Sequence, residues 1–161
     1  MPDDMFLELD NVAGESKDQK FSGKIDIHGF SWGVSNIGSG GYGGGSGVGK
    51  VNVADVSIMK RVDKASADLI RFCAQGKHID SGKIHVRKAG GDNPLEYLTY
   101  EMNEVFVTSV QQSDSSGADV AQESISLNFS KIKVTYNLQS AEGANEAAPD
   151  VTLDVKKNSF T

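Results

Sequence analysis

Apolar positions along this chain recur mostly at every second residue, the period of a strand with one buried face. Met5-Phe6-Leu7-Glu8-Leu9 opens with a short strand, and Gly14 to Asp18 is polar and turn-rich. From Lys24 to Asn36, Ile25 and Ile27 share one phase while Phe30, Trp32 and Val34 share the other, so the alternation slips near His28-Gly29. A one-residue slip turns every following side chain to the opposite face, and a β-bulge or sharp bend is the expected cause. The same slip recurs between Val51-Asn52-Val53 and Val56, around Ala54-Asp55, and again at Ser130-Lys131 within Ser124 to Leu138. Lys83 to Lys88 reads as a strand ending in the turn Ala89 to Pro94, which marks a hairpin. Leu95 to Gln111 is a long strand with Leu98, Tyr100, Met102 and Phe106 on one phase and Val105 and Val107 on the other, so it bends or is covered on both faces.

Only Asp63 to Gly76 changes period. Ala65, Leu69, Phe72 and Cys73 follow the stripe of an amphipathic helix, Asp63 or Ser66 can cap its start, Asp68 suits its positive end, and Gly76 fits a left-handed stop. Three to four turns are marginal alone, so this helix must dock on a sheet. Several short bent strands with one helix define a mainly β chain, a small β-barrel of two packed, antiparallel-rich sheets flanked by the helix at about 63–76. A doubly wound α/β fold is excluded, because its strands alternate with helices. Residues 1–161 read as one domain, in which Val151 to Val155 forms a last edge strand and 141–161 is either that edge or a partly disordered tail.

Composition narrows the chemistry. With 16 Lys and Arg against 22 Asp and Glu the net charge is −6, which argues against nucleic acid and against membrane insertion as partners. No apolar run approaches the roughly 18 residues of a membrane-spanning helix, and Met1-Pro2-Asp3-Asp4 lacks the pattern of a signal peptide. The single cysteine, Cys73, lies in the apolar stripe of the helix with no His or Lys beside it, which is the setting of a structural thiol.

Three motifs match on paper. Gly29-Phe30-Ser31-Trp32-Gly33 fits G-x-S-x-G, but no helix follows to make the nucleophile elbow. Gly44 to Lys50 resembles a phosphate loop, yet Val51 stands where Ser or Thr would hold Mg²⁺ and a strand follows. Gly38 to Gly43 fits G-x-G-x-x-G, which eight glycines in the twelve residues from Gly38 to Gly49 make nearly unavoidable. His28, His78 and His85 are scattered without metal-site spacing. No enzyme, metal or cofactor is expected from these residues. The segment Gly38-Ser39-Gly40-Gly41-Tyr42-Gly43-Gly44-Gly45-Ser46-Gly47-Val48-Gly49 predicts a long mobile excursion between strands. It is either a tolerated hairpin tip or an arm that orders against another subunit, with Tyr42 and Val48 as its main contact groups.

Met5-Phe6-Leu7, Val12 to Asp18, Trp32-Gly33, Gly47 to Val53, Asp63-Lys64, Gly76-Lys77-His78, Arg87 to Gly91, Glu96-Tyr97-Leu98 and Leu127-Asn128-Phe129, in that order, resemble the Hcp family. These haemolysin-coregulated proteins are tube subunits of the bacterial type VI secretion system. The resemblance implies a two-sheet β-barrel with a flanking helix, homohexameric rings stacked into a hollow tube, and partners that include a spike protein, a contractile sheath and secreted effectors. It also implies assembly in the cytoplasm and export through the apparatus without a signal peptide. By position, Gly38 to Gly49 corresponds to a loop reaching a neighbouring ring, and Ser31 and Ser35 become candidate lumen and cargo contacts. A monomeric β-barrel binding module is the alternative from another class.

Overall fold

Thirteen strands and one helix are found in the computed structural model, which describes residues 3–36, 51–88, 94–139 and 145–161. In chain order they are β1 (Asp3–Leu9), β2 (Ile25–Ile27), β3 (Gly29–Ser31), β4 (Val34–Asn36), β5 (Val51–Val53), β6 (Val56–Arg61), α1 (Ser66–Gln75), β7 (Ile79–Lys88), β8 (Glu96–Ser113), β9 (Gln122–Asn128), β10 (Lys131–Gln139), β11 (Asn145–Ala147), β12 (Val151–Asp154) and β13 (Ser159–Phe160). The glycine segment Gly38 to Gly49 lies outside the described residues.

Two antiparallel sheets share the 18-residue strand β8. The first runs β13-β12-β10-β8-β7-β1-β2, and the second runs β3-β6-β9-β8. Their facing apolar sides make one core, in which Leu7, Ile25, Ile58, Ile84, Ile125, Leu127 and Ile132 are fully buried.

The slips in hydrophobic phase are the places where the chain changes sheet. β2 pairs with β1 in the first sheet, and after His28 β3 pairs with β6 in the second. β9 belongs to the second sheet, and beyond Phe129-Ser130 β10 belongs to the first. At His28 the chain makes the bend that is one of the two expected causes, and at Ser130 a bend stands where a bulge is expected; both are crossings between sheets. A strand entering the facing sheet must present its opposite side to the same core, which inverts the phase without any extra residue. At Ala54-Asp55 the chain passes from a separate two-stranded ribbon, β4-β5, into the second sheet. The ribbon leaves Val34 46% exposed, so the alternation of Phe30 and Trp32 does not extend to Val34.

β8 makes its crossing without a break. Its first half pairs with β7 and β10 and its second with β9, and between them Glu104 takes φ +50°. A left-handed residue in mid-strand turns the ribbon, and β-branched residues tolerate that region worst. Glu104→Val, which strand propensity favours, is therefore expected to destabilise the fold by about 1 kcal/mol in urea unfolding, while Glu104→Gly is not.

The regular helix begins at Ser66, because Asp63 to Ala65 form a turn closed by side chains. The Asp63 N–H donates to Ser66 Oγ at 3.0 Å, and the Ala65 N–H donates to Asp63 Oδ1 at 2.9 Å. Gly76 ends the helix at φ +61°, its N–H bonded to the Cys73 carbonyl. Cys73 is half-buried and packed against the core. At the C-terminus β12 pairs with β10 and buries Leu153, and β13 lies outside it, so Val151 to Asp154 is not the edge strand.

Candidate functional site

The outward side of the second sheet is assembled from alternate residues of four strands. Register places Ser31, Ser57, Ser126 and Ser109 in one row across β3, β6, β9 and β8. The next row is Gly29, Met59, Ser124 and Gln111, and the third is Arg61, Gln122 and Ser113. Beneath them the inward residues Ile58, Ile125 and Leu127 fill the core, so burial of one phase forces the other outward. Between Asp55 at one end and Arg61 at the other, these rows contain no ionisable side chain. The Asp55 carboxylate is already occupied, taking hydrogen bonds from Thr108 Oγ1 at 3.0 Å and Asn128 Nδ2 at 2.9 Å.

Ser31 is exposed on this face, in a strand with no helix after it, so Gly29 to Gly33 does not form a nucleophile elbow. Ser35 is exposed on the β4-β5 ribbon, outside the four-stranded sheet, and the structure does not bring it into the serine row. Ser57, Ser109 and Ser126 escape a reading of the sequence. Their polar phase is visible in each strand, but only cross-strand register aligns them with Ser31.

The opposite sheet carries a different surface. The segment between β1 and β2 folds back over the outer side of the first sheet, held by Arg87, whose guanidinium pairs with Asp18 and Asp4. Phe21 of this strap stacks on Phe6 at 4.6 Å between ring centres and lies against His85 at 4.7 Å. The Arg87 hydrogen bonds hold Asp18 below the usual carboxylate range and raise Arg87 itself. His85 Nδ1 donates to Glu96 Oε1 at 2.5 Å, and its Nε2 lies 3.5 Å from Glu8. Burial pushes the Glu96 carboxyl up, but hydrogen bonding and charge from His85, with help from Thr99 and Lys20, outweigh it and hold Glu96 at about 2. A lowered folded-state pKa contributes stability above the unfolded value and loses it as pH falls through the folded one. Stability is thus expected to drop between about pH 4.5 and about pH 2 through this group. Glu96→Gln flattens that part of a pH-resolved melting curve.

Under the helix, Lys60 Nζ lies 2.8 Å from both Asp63 and Glu123, and Ser66 Oγ donates to Glu123 Oε2 at 2.6 Å. Lys60 and Glu123 are fully buried in this cluster, and Asp63 stands at its edge. His28 borders a hollow with Arg61, Glu15, Asp26 and Asp63, where burial raises the Asp26 pKa. His78 rests on Phe106. Among the described residues, no group of three or more His, Cys, Asp or Glu is placed to hold a metal ion.

A two-sheet β fold with one helix and a sheet face built mainly of hydroxyl and amide side chains defines a protein that works through the surfaces it presents. Residues 6–136 match the family described as type VI secretion system effector, Hcp. The chain belongs to that family, and its function is that of a tube and effector protein of the type VI secretion system. It is 44% identical over 146 residues to Protein hcp1 of Pseudomonas aeruginosa, covering 91% of this chain and 90% of that one. The fold superposes on the crystal structure of Hcp1 from Salmonella typhimurium with a TM-score of 0.80 at 30% identity, covering 100% of both chains. A type VI secretion system effector from Yersinia pestis superposes with a TM-score of 0.75 at 30% identity, covering 94% of this chain and 100% of that one.

Proposed function

We propose that six copies of this chain close into a ring, that rings stack into a hollow tube, and that the serine-rich face of the second sheet lines the channel. The observation that carries this reading is a sheet face built mainly of hydroxyl and amide side chains on a chain of net charge −6. Acidic walls would repel acidic cargo and hold basic cargo, whereas hydroxyl and amide groups contact either without trapping it. Ring closure joins two different edges of each copy and stacking joins its two ends, so the whole chain, 1–161, works as one domain with several contact surfaces. Gly38 to Gly49 serves as the arm to the neighbouring ring, and Ser31 and Ser35 contact exported effectors. The spike and the contractile sheath are the other partners. The chain assembles in the cytoplasm and leaves through the apparatus. It needs no cofactor and performs no catalysis.

Light scattering across a concentration series tests the ring. A mass near six times 17.2 kDa is expected, and a monomer at every concentration that also fails to form tubes favours a separate binding module. Shortening Gly38 to Gly49 to a tight hairpin is expected to leave rings intact and abolish stacking seen by electron microscopy; unchanged tubes reject the arm. Ser31→Trp is expected to preserve rings while reducing co-purified effectors.

A further inference from the structure

The serine rows contain one large apolar side chain, Met59, which is 53% exposed in the middle of the face. Its flexible end lies across β3 where Gly29 has no side chain, and a Cβ at position 29 would sit 3.0 Å from Met59 Cε. On its other side Met59 walls a hollow of about 370 Å³ lined also by Gln111, Gln112, Ser113, Gln122, Ser124 and Glu123, whose carboxylate is fully buried against Lys60. We propose that this hollow is a socket for an uncharged segment of an exported effector, with Met59 gripping one aliphatic or aromatic side chain of that segment. The proposal rests on the reading that this face lines the channel.

Charge complementarity selects the occupant. The charges near the hollow are already engaged: Glu123 is paired with Lys60 in the interior, Arg61 lines the separate hollow of Glu15, Asp26 and Asp63, and Asp55 is bonded to Thr108 and Asn128. A carboxylate or ammonium laid in the hollow would lose water without gaining a counter-charge. An apolar side chain loses nothing there, and the amides and hydroxyls of the rim satisfy the peptide groups that flank it. Methionine suits a site that must accept more than one cargo, because its unbranched, polarisable side chain repacks around different shapes. A lone exposed hydrophobe needs no explanation by itself. Here it is accommodated by a glycine on the next strand and borders a polar hollow whose one lining carboxylate, Glu123, is neutralised by Lys60.

The test uses the assembled protein and fluorescent peptides of one length, a Gly-Ser frame with Leu or Glu at the centre. The Leu peptide is expected to bind more tightly than the Glu peptide. Met59→Gln is expected to weaken the Leu peptide about tenfold, and Met59→Leu to retain it. Equal binding of both peptides, no binding of either, or unchanged binding by Met59→Gln overturns the socket. The channel reading is tested separately with Ser31→Cys in a Cys73→Ala background. In assembled tubes that thiol should react with a small maleimide and resist a polymer-linked one. Equal reaction with both rejects the channel-facing assignment whatever Met59 does, and protection with no Met59 effect rejects the socket alone.

Discussion

Lys60→Met is expected to cost the fold about 3–5 kcal/mol, the penalty of stranding a buried charge. Lys60 and Glu123 have fully buried side chains and meet at 2.8 Å beneath the helix, directly opposite each other on β6 and β9. Lys60 Nζ also donates to Asp63 Oδ1 and to the Arg61 carbonyl, so the ammonium has a partner for each proton. Removing it leaves the Glu123 carboxylate with the Ser66 hydroxyl and a long contact from Gln112 at 3.5 Å. In a chain of this size the loss corresponds to a fall in Tm of roughly 6–20 °C, read at fixed protein concentration. Lys60→Met combined with Glu123→Leu is expected to recover most of it, because a buried ion pair contributes little over an apolar pair of similar volume. A double variant as unstable as the single one would show that the cluster does more than neutralise itself.

Leu69→Ala is expected to destabilise by about 2–5 kcal/mol, through lost transfer energy and the cavity left under the helix. Leu69 is fully buried, while Phe72 and Cys73 on the same stripe are only half-buried, so it is the main anchor of α1 against the sheets. The neighbouring Ile70 is 44% exposed, and Ile70→Ala should stay within about 0.5 kcal/mol. Comparable losses for the two variants in urea unfolding would refute this docking geometry.

The helix was readable because its cues are local: a stripe spaced by one turn, Asp63 and Ser66 at its start and Gly76 at its end. Its first residues were less so, since Asp63 to Ala65 hydrogen-bond as a turn before the helix proper begins. Strand phase was equally local, and each slip marked a real discontinuity. The cause of a slip was not local. A bulge and a crossing to the facing sheet produce the same inversion of alternation, and only pairing partners distinguish them. The same limit governs the candidate face. Ser31 stands out from the polar phase of its own strand, whereas its alignment with Ser57, Ser126 and Ser109 depends on register across residues up to 95 positions apart. Nothing in the local pattern marks Lys60 and Glu123 as partners, because each is one polar residue in an alternating strand.

By itself, then, the amino-acid order determined a mainly β chain with one capped helix, its strand phases, its acidic balance and, through motifs spread along most of its length, the Hcp family. These are properties of near neighbours and of composition, where turn geometry, side-chain period and charge act within a few residues. Tertiary structure alone decided which sheet each strand joined, that Ser35 stands on a ribbon apart from Ser31, that Lys60 is neutralised in the interior, and that Met59 lies over Gly29. Those outcomes depend on which distant backbone a strand hydrogen-bonds. That choice is made by burying all the apolar phases in one common core, so it is a property of the whole chain and of no segment within it.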